Sequence, residues 1–560
     1  MIHERTAANP ITAEIIRNSL VAITDEMKTN LMRTAYNPII YEALDYTVGL
    51  FDADGNAMSV GMGLPMFIRG LSDCIKAKLD HFGRDGIHPG DVLLTNDAYI
   101  TGSHLNHMVF TLPIFDGERL VAFSSTMAHW QDVGGVLSGR TRDIFSEGLQ
   151  MPIVKIFKAG KQDEELTAII RMNVRLPKLA IGDFRAQIAA IRTGERRFGA
   201  LLRRYGTETV FANVVALNDQ AEMLAKAAVR AIPDGVYEAE SFMDDDGVTA
   251  EPLRIKVKVT VSADEMEVDL TDVHAQVAGY FNSGTTAGHS AAQVAFKCLT
   301  TPTFYPVNEG AFRSLSVILP PGRIVSAVKP AAMRRWMTVP MTVVDTIFRA
   351  MAQAIPETTI AGHYADLCNP TIFGVNPKNG QFFVRMVTIP GGGWGAKHNG
   401  DGECGTVCIN DGDTHNAPIE ATEVHLPILV ERYALRPDSG GPGKYRGGLG
   451  VELRVRAMCP MNMNIHAERT KCAPWGLRGG LAALPNRVSL VQQNTPRALP
   501  NGKLDAELLE TGDVFVVETG GGGGFGDPRA RSRELVRRDV RADYVTREAA
   551  QRDYGLENDA

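Results

Sequence analysis

The chain has 560 residues, 44% hydrophobic and 22% charged, an ordinary globular balance in a length that exceeds one core, so two to four domains are expected. A formal net charge of −7, with no basic cluster before the C-terminal tail, argues against a nucleic-acid groove. No run of about 18 apolar residues marks a membrane span, residues 1–10 lack the basic start and apolar centre of a secretory signal, and seven scattered cysteines suit reduced thiols in the cytoplasm.

Asn9 before Pro10 offers an N-cap and a first-turn proline. Ile16, Leu20, Ile23, Met27 and Leu31 then recur every three or four residues, predicting an amphipathic helix to about Thr34. Residues 46–52 read as a strand followed by the turn Asp54-Gly55-Asn56. Asp45 stands at its head, where a turn or cap carboxylate is the ordinary role and projection into a site the alternative. A second helix carries Ile68, Leu71, Ile75, Leu79 and Phe82 on one stripe.

Two strand-like runs, residues 108–115 and 118–124, then flank Asp116-Gly117, a dipeptide favoured in two-residue hairpin turns. Centring the pairing on that dipeptide sets His104 opposite His129. Strict alternation turns His107 to the other face unless the chain bends over residues 99–103, where Gly102 permits it. Imidazoles facing each other across a hairpin, with Asp97 and Asp132 nearby in sequence, suit a divalent metal. A hydrogen-bonded cross-strand pair is the commoner meaning of such spacing.

Residues 166–232 are helical in pattern, with breaks expected near Gly182, Gly194 and Gly206. Strict alternation over residues 255–261 predicts a strand, with residues 266–270 as its hairpin partner, and a helix follows around residues 287–299. From Pro390 glycine dominates, in Pro390-Gly391-Gly392-Gly393-Trp394-Gly395, in residues 440–450 and in residues 520–526, predicting short strands and tight loops with no fixed-period repeat. The expected fold is therefore mixed α/β (α+β) and multidomain. Residues 1–234 form an α/β region with the candidate metal site, 235–400 an α+β middle region, 401–528 a glycine-rich β region and 529–560 a helical tail.

None of the glycine runs is a phosphate loop. Gly443-Lys444-Tyr445 lacks the hydroxyl residue that would reach Mg²⁺, and no run sits between a strand and a helix, so backbone close approach is the expected role and ATP binding by this chain alone is not. Cys404 and Cys408 with His398 and His415 are spaced too loosely for a zinc site, and Cys404 has no identifiable base to make it a nucleophile.

Together these stretches resemble the hydantoinase B/oxoprolinase family, which includes B-type components of ATP-dependent hydantoinases and lactamases and components of ketone carboxylases. The resemblance runs nearly end to end. It is carried by residues 10–33, 96–107 and 128–135, by Tyr433-Ala434-Leu435-Arg436-Pro437-Asp438-Ser439 and the glycines that follow, by Pro474-Trp475-Gly476-Leu477, by residues 520–528, and by Val540-Arg541-Ala542-Asp543-Tyr544-Val545 in the tail. It implies a metal bound by a histidine, an Asp three residues later and a second histidine after the next turn, with an upstream carboxylate in some members. These positions fall on His104, His107, His129 and Asp45, so His107 stands where the pattern has Asp. The resemblance thus implies a Zn²⁺ or Mn²⁺ site on His104, His107, His129 and Asp45, with Asp132 orienting a histidine ring and Asp97 as a further catalytic carboxylate. It also implies a hydantoinase A-type partner subunit that holds ATP and Mg²⁺ and phosphorylates a cyclic amide. A ketone carboxylase subunit and a metal-free structural subunit are the alternatives, the second favoured by His107 in place of Asp.

Overall fold

The Asn9 side chain accepts the Ile11 amide at 2.9 Å and opens the helix Pro10–Thr34, which buries the predicted stripe of Ile16, Leu20, Ile23, Met27 and Leu31. A computed structural model describes residues 9–300, 307–407, 409–412 and 414–556. Strands β1 (Tyr46–Asp52), β2 (Ala57–Met62), β3 (Val92–Thr95), β4 (His107–Asp116), β5 (Arg119–His129), β6 (Val154–Lys158) and β7 (Lys161–Gln162) form one antiparallel sheet in the order β2-β1-β5-β4-β3-β6-β7. Helices Pro10–Thr34 and Pro177–Tyr205 pack on each other and on this sheet. Met108, Val109 and Phe110 are consecutive and all fully buried, so β4 is covered on both faces and its sequence reads as a continuous apolar run.

The hairpin differs from expectation in register. The two turn residues are Gly117 (φ +62°) and Glu118, with Asp116 paired to Arg119, and a bulge between Ile114 and Phe115 shifts the ladder once more. His107, not His104, therefore faces His129. A second difference lies in the helical region, which divides into Glu164–Asn173, Pro177–Tyr205 and Thr207–Val229. Of the three expected breaks only Gly206 is one. Gly182 and Gly194 lie inside a helix, where a side chain would strike the Tyr36 ring and the Ser124 and Met27 side chains, so close packing and not a break accounts for glycine there.

A four-stranded sheet of Gly235–Met243, Leu253–Ser262, Glu265–Asp269 and Leu315–Ile318 follows, with Met266 opposite Val261 as the predicted hairpin requires. Helices Thr285–Thr300 and Thr338–Met351 pack together, and the second lies on this sheet. One hydrophobic core runs from Ile16 through Ala365 and takes in Ile409, so residue 234 marks a change of secondary structure and not of core. A second core begins at Cys368 and extends to Val517. Its four-stranded sheet joins Thr371–Val375 and Phe382–Met386 to Met461–His466 and Lys503–Leu509, so the expected division at residue 400 falls inside this unit. The tail helices Arg533–Arg541 and Arg547–Tyr554 share a small cluster of their own.

The glycine runs meet one another. Gly393 N donates to Gly520 O at 3.0 Å, Gly441 N to Gly522 O at 2.8 Å, Gly522 N to Gly448 O at 2.9 Å and Gly523 N to Gly362 O at 2.7 Å. A Cβ on Gly522 would fall on the Trp394 carbonyl, so close backbone approach explains these residues, as expected.

Candidate functional site

Sheet order builds the site. β5 lies between β1 and β4, so Asp45 at the head of β1, His129 at the end of β5 and His107 at the start of β4 form one row across three strands. The backbone closes that row, with His129 N donating to Asp45 O at 3.1 Å and Trp130 N to Asn106 O at 2.8 Å. His104 reaches the row from outside the sheet. A short helix, Ala98–Thr101, ends at Gly102 (φ +82°), which bends the chain as the sequence suggested and brings residue 104 back over the strand ends.

The three imidazoles cluster, with ring centroids 4.7 Å apart for His104–His107, 4.8 Å for His104–His129 and 5.2 Å for His107–His129. The predicted convergence of His104 and His129 holds, reached by the bend and not by cross-strand pairing. His107 occupies both ring nitrogens, Nδ1 with Ser103 Oγ at 2.9 Å and Nε2 with Asp45 Oδ1 at 3.0 Å. His104 Nε2 and His129 Nδ1 are buried and have no hydrogen-bond partner. Burial holds the His104 ring well below the ordinary imidazole range, helped by His107 and His129, and lowers His129 to about 4. Burial works to raise the Asp45 carboxyl, but the adjacent His107 and His129 rings keep it below the usual carboxylate range. At neutral pH His104 and His129 are thus neutral donors and Asp45 is ionised, the protonation states a divalent metal requires.

The fit to a metal is nonetheless incomplete. Among the described residues no group of three or more His, Cys, Asp or Glu side chains is arranged to hold an ion as it stands. His107 Nε2 is held by Asp45 Oδ1, so His107 is not an open donor. Two open imidazole nitrogens and an ionised carboxylate suit a divalent ion, and the fourth donor comes free only if the His107–Asp45 contact opens.

Asp132 and Asp97 both have partners other than the imidazoles. The Asp132 carboxylate takes Arg175 Nη1 at 2.8 Å and the Arg175 amide, and among the described residues it makes no hydrogen bond to an imidazole. Asp97 caps the short helix through the Tyr99 amide at 3.0 Å. Ser103 and Asp45 are what orient a histidine ring here. Cys404 accepts the Leu449 amide through Sγ at 3.2 Å, and Cys408 lies outside the described residues.

Asp45, His104 and His129 line a cavity of about 180 Å³, room for a small ligand only. Much of its wall comes from parts of the chain that hairpin reasoning could not reach. The Trp336 indole packs 6.3 Å from His104 and 5.9 Å from His107, and Arg334, Arg335, Asn464 and His466 also line the cavity. No periodicity connects these residues to the histidines. The one sequence signal was the adjacent pair Arg334-Arg335 inside an otherwise apolar stretch.

The chain is similar over its full length to proteins of known type. The beta chain of the caprolactamase of Pseudomonas jessenii is 31% identical, over 98% of this chain and 96% of that protein. The crystal structure of the ATP-dependent caprolactamase from that organism superposes with a TM-score of 0.91 at 28% identity, covering 99% and 98% of the two chains. A protein of Pseudomonas sp. strain NS671, assigned as the B-type component of a D-/L-hydantoinase, is 30% identical over 98% of this chain and 95% of its own length. The nucleotide-free structure of an acetone carboxylase shares the fold, with a TM-score of 0.90 over 98% of this chain and 80% of that one at 18% identity. With the hydantoinase B/oxoprolinase profile matching residues 9–528, as the sequence motifs led one to expect, the chain belongs to the hydantoinase B/oxoprolinase family.

Proposed function

We propose that this chain is the B-type subunit of an ATP-dependent amidohydrolase that opens a small cyclic amide, a hydantoin or a lactam. A partner A-type subunit would hold ATP and Mg²⁺ and phosphorylate the amide oxygen. The observation that carries this reading is the pair of unpartnered, neutral imidazole nitrogens on His104 and His129 beside ionised Asp45 at the wall of a small cavity. The relatives are named as components of multi-subunit enzymes, which supports a partner, and so does a sequence without a phosphate-cradling loop.

Phosphorylation turns the amide oxygen into part of a better leaving group. A water oxygen then bonds to the former carbonyl carbon, the ring C–N bond breaks with its electron pair and a proton going to nitrogen, and a second water releases phosphate from the resulting acyl phosphate. His104, His129 and Asp45 would hold a Zn²⁺ or Mn²⁺ ion, with His107 joining on release from Asp45. Bound there, the ion would supply Lewis acidity and a more acidic water. Ser103 fixes the His107 ring through Nδ1, and Trp336 and Phe67, 4.9 Å from the His107 ring centroid, keep that side of the site apolar.

One observation favours a second reading, a metal-free structural subunit: the closed His107–Asp45 contact leaves no ready-made ligand set. The test is to purify the chain alone and with its A-type partner, measure bound metal, and follow ATP consumption with lactams, hydantoins, and ketones plus bicarbonate. Ring opening that needs both partners and a stoichiometric metal supports the proposal. ATP turnover with ketones alone identifies a carboxylase, and ATP-dependent turnover by the isolated chain refutes the division of labour.

A further inference from the structure

Two consecutive arginines line the cavity with no ion pair among the described residues. Arg335 Nη1 donates to Asn369 Oδ1 at 2.9 Å, while its Nε is buried and has no partner. Among the described residues neither Arg335 nor Arg334 makes a salt bridge, and Arg334 donates only its backbone amide, to Glu147 Oε1 at 2.9 Å. Glu147, Asp132 and Asp505 lie near Arg334 and Asp366 near Arg335, but among the described residues none of these carboxyl groups is hydrogen-bonded to either guanidinium. Glu147 Oε1 is already taken by the Thr141 hydroxyl at 2.6 Å and by the Met333 and Arg334 amides, and burial pushes its carboxyl up to about 7. Asp366 is likewise raised by burial and is occupied by the Glu468 amide at 2.8 Å and the Cys368 thiol.

A guanidinium keeps its charge even when burial lowers it to about 10, as in Arg335. Arg335 Nε is buried without a partner, which is costly unless a ligand supplies an acceptor, and Arg334, partly exposed, lines the same cavity. The arginines in the cavity wall offer planar, multi-donor hydrogen bonding, the recognition chemistry of an oxyanion with several acceptor oxygens. Trp336 follows Arg335 directly and contacts His104 and His107, so the arginines and imidazoles face one small volume.

We infer that Arg334 and Arg335 form an oxyanion subsite that holds the phosphoryl group of the activated substrate, and the phosphate it becomes, against the imidazole cluster. This rests on the amidohydrolase reading for its substrate and on the cavity alone for its ligand class. The same donors could take a carboxylate borne by the substrate, so the test separates the two.

The probe is inorganic phosphate, titrated calorimetrically into the full-length, metal-stripped chain, with acetate and glutarate as carboxylate arms. Saturable phosphate binding, weakened at least tenfold in Arg335→Met and in Arg334→Met and partly retained in Arg335→Lys, is expected. Circular dichroism identifies any variant that fails to fold, and the wild-type titration is decisive without variants. No saturable phosphate binding, or equal binding by both Met variants, overturns the inference, and carboxylates binding more tightly than phosphate overturn the phosphoryl assignment. Arginine-dependent phosphate binding in a complex that opens no cyclic amide would leave the subsite standing and remove the amidohydrolase reading. Ring opening with unchanged KM in both Met variants would do the reverse.

Discussion

Asp183 supports the site from behind, and its ionisation sets a measurable pH dependence. Its Oδ1 accepts the Tyr36 amide at 2.7 Å and the Asn37 amide at 3.1 Å, and Asn37 Nδ2 in turn donates to His129 O at 2.8 Å. Its Oδ2 is buried without a partner, and burial raises the carboxyl from the ordinary 3.8 to about 7 against those two amides. Between about pH 4 and 7 the folded chain keeps a proton on Asp183 that the unfolded chain has released. Stability therefore falls as pH rises through that window and levels off above it. At ~1.4 kcal/mol per pH unit the whole gap is worth about 4 kcal/mol, of which about 2 kcal/mol falls between pH 5.5 and 8. Asp183→Asn keeps an acceptor for the two amides and removes the titration. Urea unfolding of both proteins at pH 5.5 and 8, followed at the transition of the first core, should show the variant gaining about 2 kcal/mol on the wild type at the higher pH. Taking the difference between the two proteins cancels the other buried acids, Glu147 and Glu468. An unchanged difference between the two pH values would refute the assignment of a protonated Asp183.

Three further outcomes are expected. His104→Ala and His129→Ala should each abolish the metal content of the purified chain while leaving its far-ultraviolet dichroism intact, and full occupancy in the double variant would remove the site. His107→Asp sets a second carboxylate beside Asp45, so melting temperature should fall without added metal and recover with Mn²⁺ or Mg²⁺, whereas indifference to metal would show that residue 107 takes no part. Gly522→Ala drives a methyl into the Trp394 carbonyl and the Gly395 amide, both backbone, so a loss of more than ~3 kcal/mol or failure to express soluble protein is expected, and a near-wild-type melting temperature would contradict the packing.

Where local pattern decides structure, the sequence was readable. The helix Pro10–Thr34, strand β1, the Leu253–Ser262 hairpin and the helix Thr285–Thr300 follow from apolar spacing and caps alone. The hairpin register was not, because Asp116-Gly117 names a turn only to within a residue and a bulge leaves no mark in composition. Those two small errors exchanged the roles of His104 and His107 while leaving both in the cluster. Asp132 misled for another reason: its partner, Arg175, lies on a different segment, and proximity in sequence to His129 says nothing of that pairing. Arg334, Arg335, Trp336 and His466 enter the cavity through tertiary contacts between segments hundreds of residues apart, information that one unaligned sequence does not hold.

The meeting of the glycine runs changes what family likeness can certify. Gly440, Gly441, Gly443, Gly476 and the four glycines 521–524 are fixed by main chain lying on main chain, where any side chain is an obstruction. Selection for folding preserves such positions whether or not the protein still catalyses anything. A descendant that lost its chemistry would keep these signatures and still be recognised along its length. For sequences of this type the informative residues are few and lie elsewhere. If the proposed site and subsite hold, the identities at 45, 104, 107 and 129, and the arginine pair at 334 and 335, would sort working enzymes from inert copies.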